Sequence, residues 1–194
     1  MKKEIGLTIV GISLVAYFVL TIFVLPEIYL SNDQLVPKPQ LETNLSKSEI
    51  NLGESFDFSI FSKNIGDYGD IHIVSVAFPD LHKIEDDVVR ITTYDFTQSP
   101  QYILPGDMIG SNYSGGLESV VSKYPSIESM SRPVHSGQTH NIEFIITPQN
   151  IGNFTIHVKS INIPHTDNLS HFPQAGILDH QNEHVLSFVV GVSP

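Results

Sequence analysis

The chain has 194 residues, a formal net charge of -11 and no cysteine. Its length allows one ordinary domain with a modest appendage, and its acidity argues against a protein that binds nucleic-acid phosphates. The lack of cysteine excludes disulfide scaffolds, thiolate metal sites, cysteine nucleophiles and iron–sulfur clusters.

The first feature along the chain is an apolar segment from Ile5 to Pro26 that contains no Asp, Glu, Lys, Arg or His. A helix over about 21 of these residues spans about 31 Å, close to the hydrocarbon thickness of a bilayer of roughly 30 Å. No small-x-small cleavage site follows it, which favours a retained anchor over a cleaved signal peptide. Lys2 and Lys3 precede the segment and favour a cytoplasmic N-terminus. We therefore expect residues 1–30 to form a single transmembrane signal anchor in the cell membrane, with the rest of the chain extracytoplasmic.

Residues 31–40 are polar and contain Pro37 and Pro39, a composition typical of a short stalk. The next 154 residues, 41–194, suit one extracytoplasmic domain.

Apolar side chains alternate with other residues in several runs of this domain, the pattern of half-buried strands. The clearest runs begin at Phe56, Ile142, Phe154 and Leu186, and a run from Ile71 to Phe78 is apolar on both faces. Glycine- and asparagine-containing turns separate the runs. The predicted fold is therefore an all-β antiparallel sandwich.

Two intervals depart from this alternation. Residues 98–133 are rich in proline and glycine, and within them only Leu117 to Tyr124 has helical spacing. We interpret residues 98–133 as a long insertion between sandwich strands that is either the place for a specific contact or a loop without a role of its own. A second polar excursion, Pro164 to Asn182, precedes the last strand.

The turn Leu52-Gly53-Glu54, the corner Asn64-Ile65-Gly66 and the strand Ile71 to Val76 follow one another in an order that resembles immunoglobulin-like modules of membrane-anchored microbial surface proteins. Gly137 to His140, together with the two predicted strands that follow, resembles the later strand pair of the same modules. The cysteine pair and core tryptophan of antibody domains are absent. The resemblance implies an envelope protein that binds or spaces, without an active site.

Nine histidines raise the possibility of a zinc or copper site, because both metals bind imidazole. The candidate ligands are His165, His171 and His180, with Asp179 or Glu183 as an oxygen ligand. Their spacing matches no recognised ligand pattern, so ordinary loop histidines are the alternative.

Four sequons mark possible glycosylation sites on the exported part of the chain. Their asparagines are Asn44, Asn112, Asn153 and Asn168.

No motif for a catalytic serine or a phosphate-binding loop is present, and we expect neither enzymatic activity nor a cofactor. The leading hypothesis is a membrane-anchored extracytoplasmic binding or structural protein of the cell envelope. It would contact membrane lipid through its N-terminal helix and a protein or envelope partner through its domain. The alternatives are an accessory subunit of a membrane protein complex and an extracytoplasmic copper or zinc carrier.

Overall fold

A computed structural model describes residues 2–24, 36–109, 120–164 and 170–194. The chain divides into two compact units, Met1–Gln34 and Leu35–Pro194.

The first unit contains helix α1, Lys2–Val19, which continues as a π-helical segment, Leu20–Val24. The large apolar side chains described in it are exposed, among them Ile12, Val15 and Tyr17 at 64%, 65% and 65%. Thr21 donates its hydroxyl hydrogen bond to the Tyr17 carbonyl, which satisfies a polar group within the segment. Among the described residues, none of the helices meets the combined demands of length and apolar character for crossing a bilayer.

The second unit consists of β-strands. In chain order they are β1 Pro39–Leu45, β2 Glu49–Asn51, β3 Phe56–Asn64, β4 Ile71–Ala77, β5 Val89–Tyr94, β6 Gln101–Ile103, β7 Met108–Ile109, β8 Val120–Val121, β9 Ser126–Ser131, β10 Thr139–Ile146, β11 Gly152–Ile163, β12 Ser170–Phe172, β13 Ile177–Leu178 and β14 His184–Ser193.

The smaller of the two main sheets has four antiparallel strands in the order β1-β3-β10-β5. Phe58 lies opposite Phe144 and Ile60 opposite Ile142, so these side chains share one face. All four are buried, whereas Phe61, one position along, lies on the other face and is 39% exposed. The predicted alternation of these two strands is confirmed.

The larger main sheet has the order β13-β14-β11-β4-β9-β6. In addition, β12 pairs with β11, and β2 pairs with β14 in parallel, with Glu49 opposite Gly191. The predicted strands that begin at Ile71, Phe154 and Leu186 correspond to β4, β11 and part of β14.

The core lies between the inner faces of these two sheets. Phe56 of the small sheet makes an edge contact with Phe154 of the large sheet at 6.2 Å between ring centroids, and Phe58 packs against Phe188 at 5.0 Å. Aromatic side chains of this size provide the largest apolar area per residue to a core. The unit is a β-sandwich, as the sequence predicts.

The predicted insertion at 98–133 differs from the structure near both ends, because Gln101–Ile103 is strand β6 of the large sheet. Ser126–Ser131 is not an excursion but strand β9 of the large sheet, paired with β4 and β6, and all six residues are buried. Its polar side chains, including Glu128, conceal the strand from a search for alternating apolar residues. Leu117 to Tyr124, whose spacing would suit a short helix, is not helical where it is described, because Val120–Val121 pairs as a strand with β7. Residues 110–119 lie outside the described residues.

The predicted stalk at 31–40 also extends too far toward the C-terminus. Pro37 is buried, the Lys38 amide donates to Asn64 Oδ1 at 2.9 Å, and β1 begins at Pro39. Proline fits here because the first residue of an edge strand need not donate a ladder hydrogen bond. Residues 36–40 therefore belong to the sandwich, and residues 31–35 lie outside the described residues.

Candidate functional site

The candidate site lies on the outer face of the large sheet, the face turned away from the core. Alternation along β11 places His157 and Lys159 on this face. Lys159 lies opposite Ser75 of β4, and Ser75 lies opposite Glu128 of β9. Lys159 and Glu128 are only 8% and 6% exposed, so polar and charged groups on this outer face are covered by other parts of the chain.

Two segments cover this face. We call residues 104–109 and 120–124 the first excursion and residues 173–183 the second excursion. The backbone N–H of Lys123, in the first excursion, donates to Nε2 of His180 in the second at 3.2 Å. The Tyr124 ring meets the His180 ring edge-on, with centroids 5.5 Å apart, and the His157 ring at 6.4 Å. The two intervals that interrupt the strand pattern in the sequence therefore meet over one face of the sheet.

A cluster of oxygen atoms around the Lys159 ammonium fastens the second excursion to β11. Lys159 Nζ lies 2.8 Å from Asp179 Oδ2 and 2.6 Å from Gln181 Oε1, and it also contacts the Glu183 carboxylate. The Lys159 and Asp179 side chains are 10% and 7% exposed. Removing one partner from a buried ion pair costs about 3–5 kcal/mol, because the other charge stays buried without compensation.

Hydrogen bonds within the second excursion fix the positions of these oxygen atoms. Asp179 Oδ1 accepts hydrogen bonds from the backbone N–H groups of Gln181 and Glu183, at 2.7 and 3.1 Å. Asn182, between them, has a φ of 62°, a left-handed conformation that asparagine tolerates better than most residues. Burial raises the pKa of the Asp179 carboxyl, but its hydrogen bond to Lys159, the lysine charge and the two backbone donors together hold that pKa below the ordinary value. Asp179 is therefore a carboxylate at neutral pH.

A small cavity remains where the two excursions meet the sheet. Its volume is about 30 Å³, and its lining includes Ser75, Ser122, Tyr124, His157, Lys159 and His180. About one probe sphere of 10–15 Å³ is needed to hold a water molecule, so the cavity has room for about two. Pockets that hold drug-sized ligands are about 300–1,000 Å³. The cavity therefore admits water or a small ion but not an organic substrate.

Three histidines near Asp179 are biased toward their neutral forms. Burial lowers the pKa of His157, of His171 and of His180 below the ordinary value, although the charge of Asp179 opposes the shift in all three. Within the described residues, the buried atoms His157 Nδ1, His180 Nδ1 and His171 Nε2 have no hydrogen-bond partner. Two of these rings line the cavity, where water could satisfy them.

The described residues include only two of the three histidines of the predicted metal site. His165 lies outside the described part of the chain, His171 Nδ1 donates to the Pro173 carbonyl at 2.8 Å, and His180 Nε2 accepts from Lys123. In the described part of the chain, no group of three or more His, Asp or Glu side chains could hold a metal ion. The reason is visible at Asp179 and Glu183, because the Lys159 ammonium lies where a cation would need their oxygens.

Two of the four sequon asparagines can be placed. Asn44, on edge strand β1, and Asn153, near the start of β11, are both exposed and could carry a glycan without disturbing the core. Asn112 and Asn168 lie outside the described residues.

Sequence reasoning missed Lys159 and Tyr124 as site residues. Lys159 occupies an alternating position on its strand, which is normally read as solvent-facing. The sequence signal that could have indicated a partner for a buried cation is the group Asp179, Gln181 and Glu183. Their spacing of two residues places three oxygen-bearing side chains close together in the chain.

A second polar cluster lies inside the sandwich, away from the outer face. Ser62 Oγ lies 2.6 Å from His72 Nε2, and both residues are fully buried. Burial, and to a lesser degree the nearby His140, lowers the pKa of His72 to about 3, so the ring is neutral. Since neither side chain reaches solvent, this serine–histidine pair has no access to a substrate.

The fold and the site together define a mostly-β protein, a β-sandwich whose outer face carries one buried lysine that holds the second excursion against the sheet. No protein-family model and no curated protein sequence matches the chain. Among solved structures, the chain is similar to a CARDB domain from Pyrococcus furiosus, solved in complex with di-metal ions, at 12% identity and a TM-score of 0.38. That likeness covers 84% of this chain and 98% of the other.

Two further likenesses are of the same strength. A cohesin module from a Clostridium perfringens glycoside hydrolase is 10% identical, with a TM-score of 0.39, and the match covers 82% of this chain and 98% of the module. A Listeria innocua β-glucosidase is 17% identical, with a TM-score of 0.40, over 81% of this chain but only 16% of the enzyme. These likenesses are distant, and the site has to be interpreted from its own residues.

Proposed function

We propose that this protein is a membrane-anchored, extracytoplasmic module of the cell envelope that acts by binding or spacing and not by catalysis. Its N-terminal segment would supply the anchor, and its sandwich would supply a rigid support. The two excursions would supply the surface that contacts a protein or envelope partner.

The observation that carries the anchoring proposal is the exposure of the apolar segment. The large apolar side chains described in this segment are each about half exposed or more, and they are distributed around the whole circumference of the helix. They are Val10, Ile12, Leu14, Val15, Tyr17, Phe18, Val19, Leu20 and Ile22. Soluble surfaces rarely carry such a continuous apolar area, and a lipid environment would cover it. Lys2 and Lys3 at its start favour a cytoplasmic N-terminus, which would leave the sandwich outside.

The binding proposal is supported by the composition of the first excursion. Leu104, Met108 and Val121 are 50%, 58% and 53% exposed, and Met108 lies opposite Val121 in the β7–β8 pair. Apolar side chains on a short surface ribbon are typical of contact surfaces, whereas the cavity beside them is too small for an organic substrate. A surface contact therefore fits this face better than a reaction.

The proposal is tested by crosslinking the full-length protein in intact cells and identifying its neighbours by mass spectrometry. A matched pair of variants assigns the surface: Met108→Glu places a charge on the first excursion, and Ser59→Glu places one on the outer face of the small sheet. We expect the crosslinked neighbour to be lost with Met108→Glu and retained with Ser59→Glu. If the crosslinked neighbour is retained in both variants, the first excursion is not part of the binding surface.

The same sample addresses the anchor and the alternatives. Extraction of membranes with alkaline carbonate should leave the wild-type chain in the membrane fraction, and Ile12→Lys combined with Val15→Lys should release it. A stable membrane partner in gentle detergent would instead favour the accessory-subunit alternative. Zinc or copper in the purified sample would favour the metal-carrier alternative.

A further inference from the structure

The outer edge of strand β14 is covered at its two ends but not in its middle. β13 pairs with β14 at His184 and Val185, and β2 pairs with β14 at residues 191–193. Between these two contacts, residues 186–190 pair with β11 on one side and with no described strand on the other. We call residues 186–190 the edge gap, and at about 3.4 Å per residue it is about 17 Å long.

Two residues of the edge gap direct their backbone groups outward. Gly191 donates its N–H away from β11, to the Ser48 carbonyl just before β2. Since successive residues of a strand direct their N–H and C=O groups to opposite edges, Ser187 and Val189 direct theirs outward as well. Within the described part of the chain, these two donors and two acceptors have no hydrogen-bond partner. The edge gap therefore presents free backbone groups to which a further strand can bond.

The side chains around the edge gap are apolar and accessible. Val189, together with Ile177 and Leu178 of the neighbouring strand β13, is about half exposed. Residues 186–190 include no proline and no charged residue, the two features that most often protect a free sheet edge from pairing. Free backbone groups beside exposed apolar side chains are typical of a sheet edge that binds an extended peptide segment.

The two ends of the edge gap determine which kind of segment can fill it. β14 runs past the gap in both directions, so the β14 strand of a second copy placed there would collide with β2 and β13. A helix is also excluded, because its backbone groups are already bonded to one another. The gap instead fits about five extended residues of a chain that leaves the sheet at both ends.

Charge restricts the composition of this segment. The chain has a net charge of -11, and the Glu49 carboxylate lies against Gly191 at the β2 end of the edge gap. Acidic side chains on a docked segment would be repelled, whereas a lysine or arginine next to Glu49 would be attracted.

We propose that the edge gap binds a short extended segment of another protein, neutral or basic in charge, which adds a strand to the large sheet. Ser187 and Val189 form the backbone hydrogen bonds to this segment, and Ile177 and Leu178 contact its apolar side chains. The interaction requires neither the membrane anchor nor a contact through the first excursion, so it stands or falls separately from the proposed function.

The free edge is tested by amide hydrogen exchange, measured by NMR on the purified full-length protein in detergent micelles. The N–H groups of Ser187 and Val189 should exchange at least about tenfold faster than those of Phe188 and Val190, which bond to β11. Equal protection of all four amides would mean that the edge is already covered, and it would overturn the proposal.

The occupant is tested by photo-crosslinking of the full-length protein in intact cells, with benzoylphenylalanine in place of Ile177 beside the edge gap. We expect a crosslink to one short segment of another protein, identified by mass spectrometry as a segment with no excess of Asp and Glu. Val189→Pro removes a free edge donor but no hydrogen bond to β11, and it should abolish the crosslink. Val189→Thr is the matched control, since it keeps the donor and should keep the crosslink.

A second variant makes the test independent of how well the proline is tolerated. Val189→Lys leaves the backbone intact and places on the edge a charge that opposes strand pairing and repels a basic segment, so it should weaken the crosslink several-fold. Urea denaturation of both variants shows whether the sandwich remains folded.

Four outcomes would overturn the proposal. They are the absence of any crosslink from position 177, a crosslink to β14 of a second copy, a crosslink to an acidic segment, and a crosslink that persists in both Val189→Pro and Val189→Lys. Met108→Glu separates this proposal from the proposed function. A crosslink lost in Met108→Glu but kept in both Val189 variants would support binding through the first excursion and exclude the edge gap.

Discussion

Lys159 Nζ and Asp179 Oδ2 lie 2.8 Å apart in a setting where both side chains are almost fully buried. Lys159 lies on a central strand of the large sheet, and Asp179 lies in the excursion that leads into its last long strand. This one pair therefore joins the rigid sandwich to the segment that covers its outer face.

Lys159→Met should destabilise the sandwich by about 3 kcal/mol, because it leaves the Asp179 carboxylate buried without its counter-charge. Urea denaturation at pH 7.5 measures the change. Lys63→Met is the matched control, since Lys63 is an exposed strand lysine, and it should change stability by less than about 0.5 kcal/mol. An equal effect of the two substitutions would show that the Lys159 pair is not a buried structural contact.

The pair can also be tested by replacing both charges. Lys159→Met combined with Asp179→Leu should recover part of the stability that Lys159→Met loses, because the buried Asp179 carboxylate is removed and only the more exposed Glu183 carboxylate is left without the lysine charge. The double-mutant cycle, measured by the same denaturation, gives the coupling free energy. Strictly additive effects would contradict a direct interaction between the two side chains.

The buried His72 should make the sandwich sensitive to acid. Its pKa in the folded protein is about 3, well below its ordinary value of 6.5, so protonation favours the unfolded chain. The contribution of neutral His72 to the free energy of unfolding is fully present above about pH 6.5. It decreases as pH falls toward 3, by up to about 1.4 kcal/mol per pH unit.

Urea denaturation of the wild type, His72→Gln and His82→Gln at pH 7, 6 and 5 measures this effect. His72→Gln should lower stability at pH 7 but give a shallower loss toward pH 5. His82→Gln, which replaces an exposed histidine, should keep the wild-type slope. Identical slopes for all three proteins would mean that His72 does not control the acid response.

Phe58 and Phe61 test which face of the small sheet is buried. They lie on the same strand with opposite orientations, and they are 0% and 39% exposed. Phe58→Ala should cost about 3–5 kcal/mol, as expected for a truncated core aromatic, and Phe61→Ala should cost less than about 1 kcal/mol. Thermal or urea unfolding measures the loss of stability in each variant. A larger loss for Phe61→Ala than for Phe58→Ala would mean that the opposite face of the strand is buried in the core.

Gly66 tests whether the segment before β1 belongs to the sandwich. A Cβ at Gly66 would lie about 2.3 Å from the Val36 carbonyl oxygen and 2.5 Å from the Lys38 nitrogen, both of which are backbone atoms that cannot move aside cheaply. Gly66→Ala should therefore destabilise the sandwich by about 1–3 kcal/mol. Gly11→Ala is the control, since a Cβ there meets nothing within 4 Å apart from its own helical backbone. If Gly66→Ala proves neutral, residues 36–38 do not pack against the corner at Gly66.

Much of the sandwich could be predicted from the sequence because most of its strands bury one apolar face. Phe56, Phe58 and Ile60 alternate with polar residues, and a period of two is the simplest signal of a strand. Strand β9 could not be predicted in this way. It is buried on both sides but carries serines and a glutamate, so its burial leaves no apolar periodicity.

Little of the candidate site could be predicted from the sequence. The irregular composition of the two excursions indicated that they interrupt the alternation of the long strands, although both contain short strands, and their meeting depends on sheet register. Lys159 finds its oxygen partners 20, 22 and 24 residues later, in a segment with little regular structure. Nothing in local spacing identifies such a partnership, and a lysine on an alternating strand normally indicates solvent exposure.

The central proposal, that the sandwich projects outside the cell from an embedded anchor, is tested most directly by labelling a single introduced cysteine in intact cells. The natural chain has no cysteine, so Lys63→Cys creates one exposed thiol, and Ile60→Cys on the same strand creates one that is buried in the folded protein. A maleimide that cannot cross membranes should label Lys63→Cys in intact cells without lysis and should leave Ile60→Cys unlabelled. Labelling of Lys63→Cys only after lysis would contradict the proposed topology.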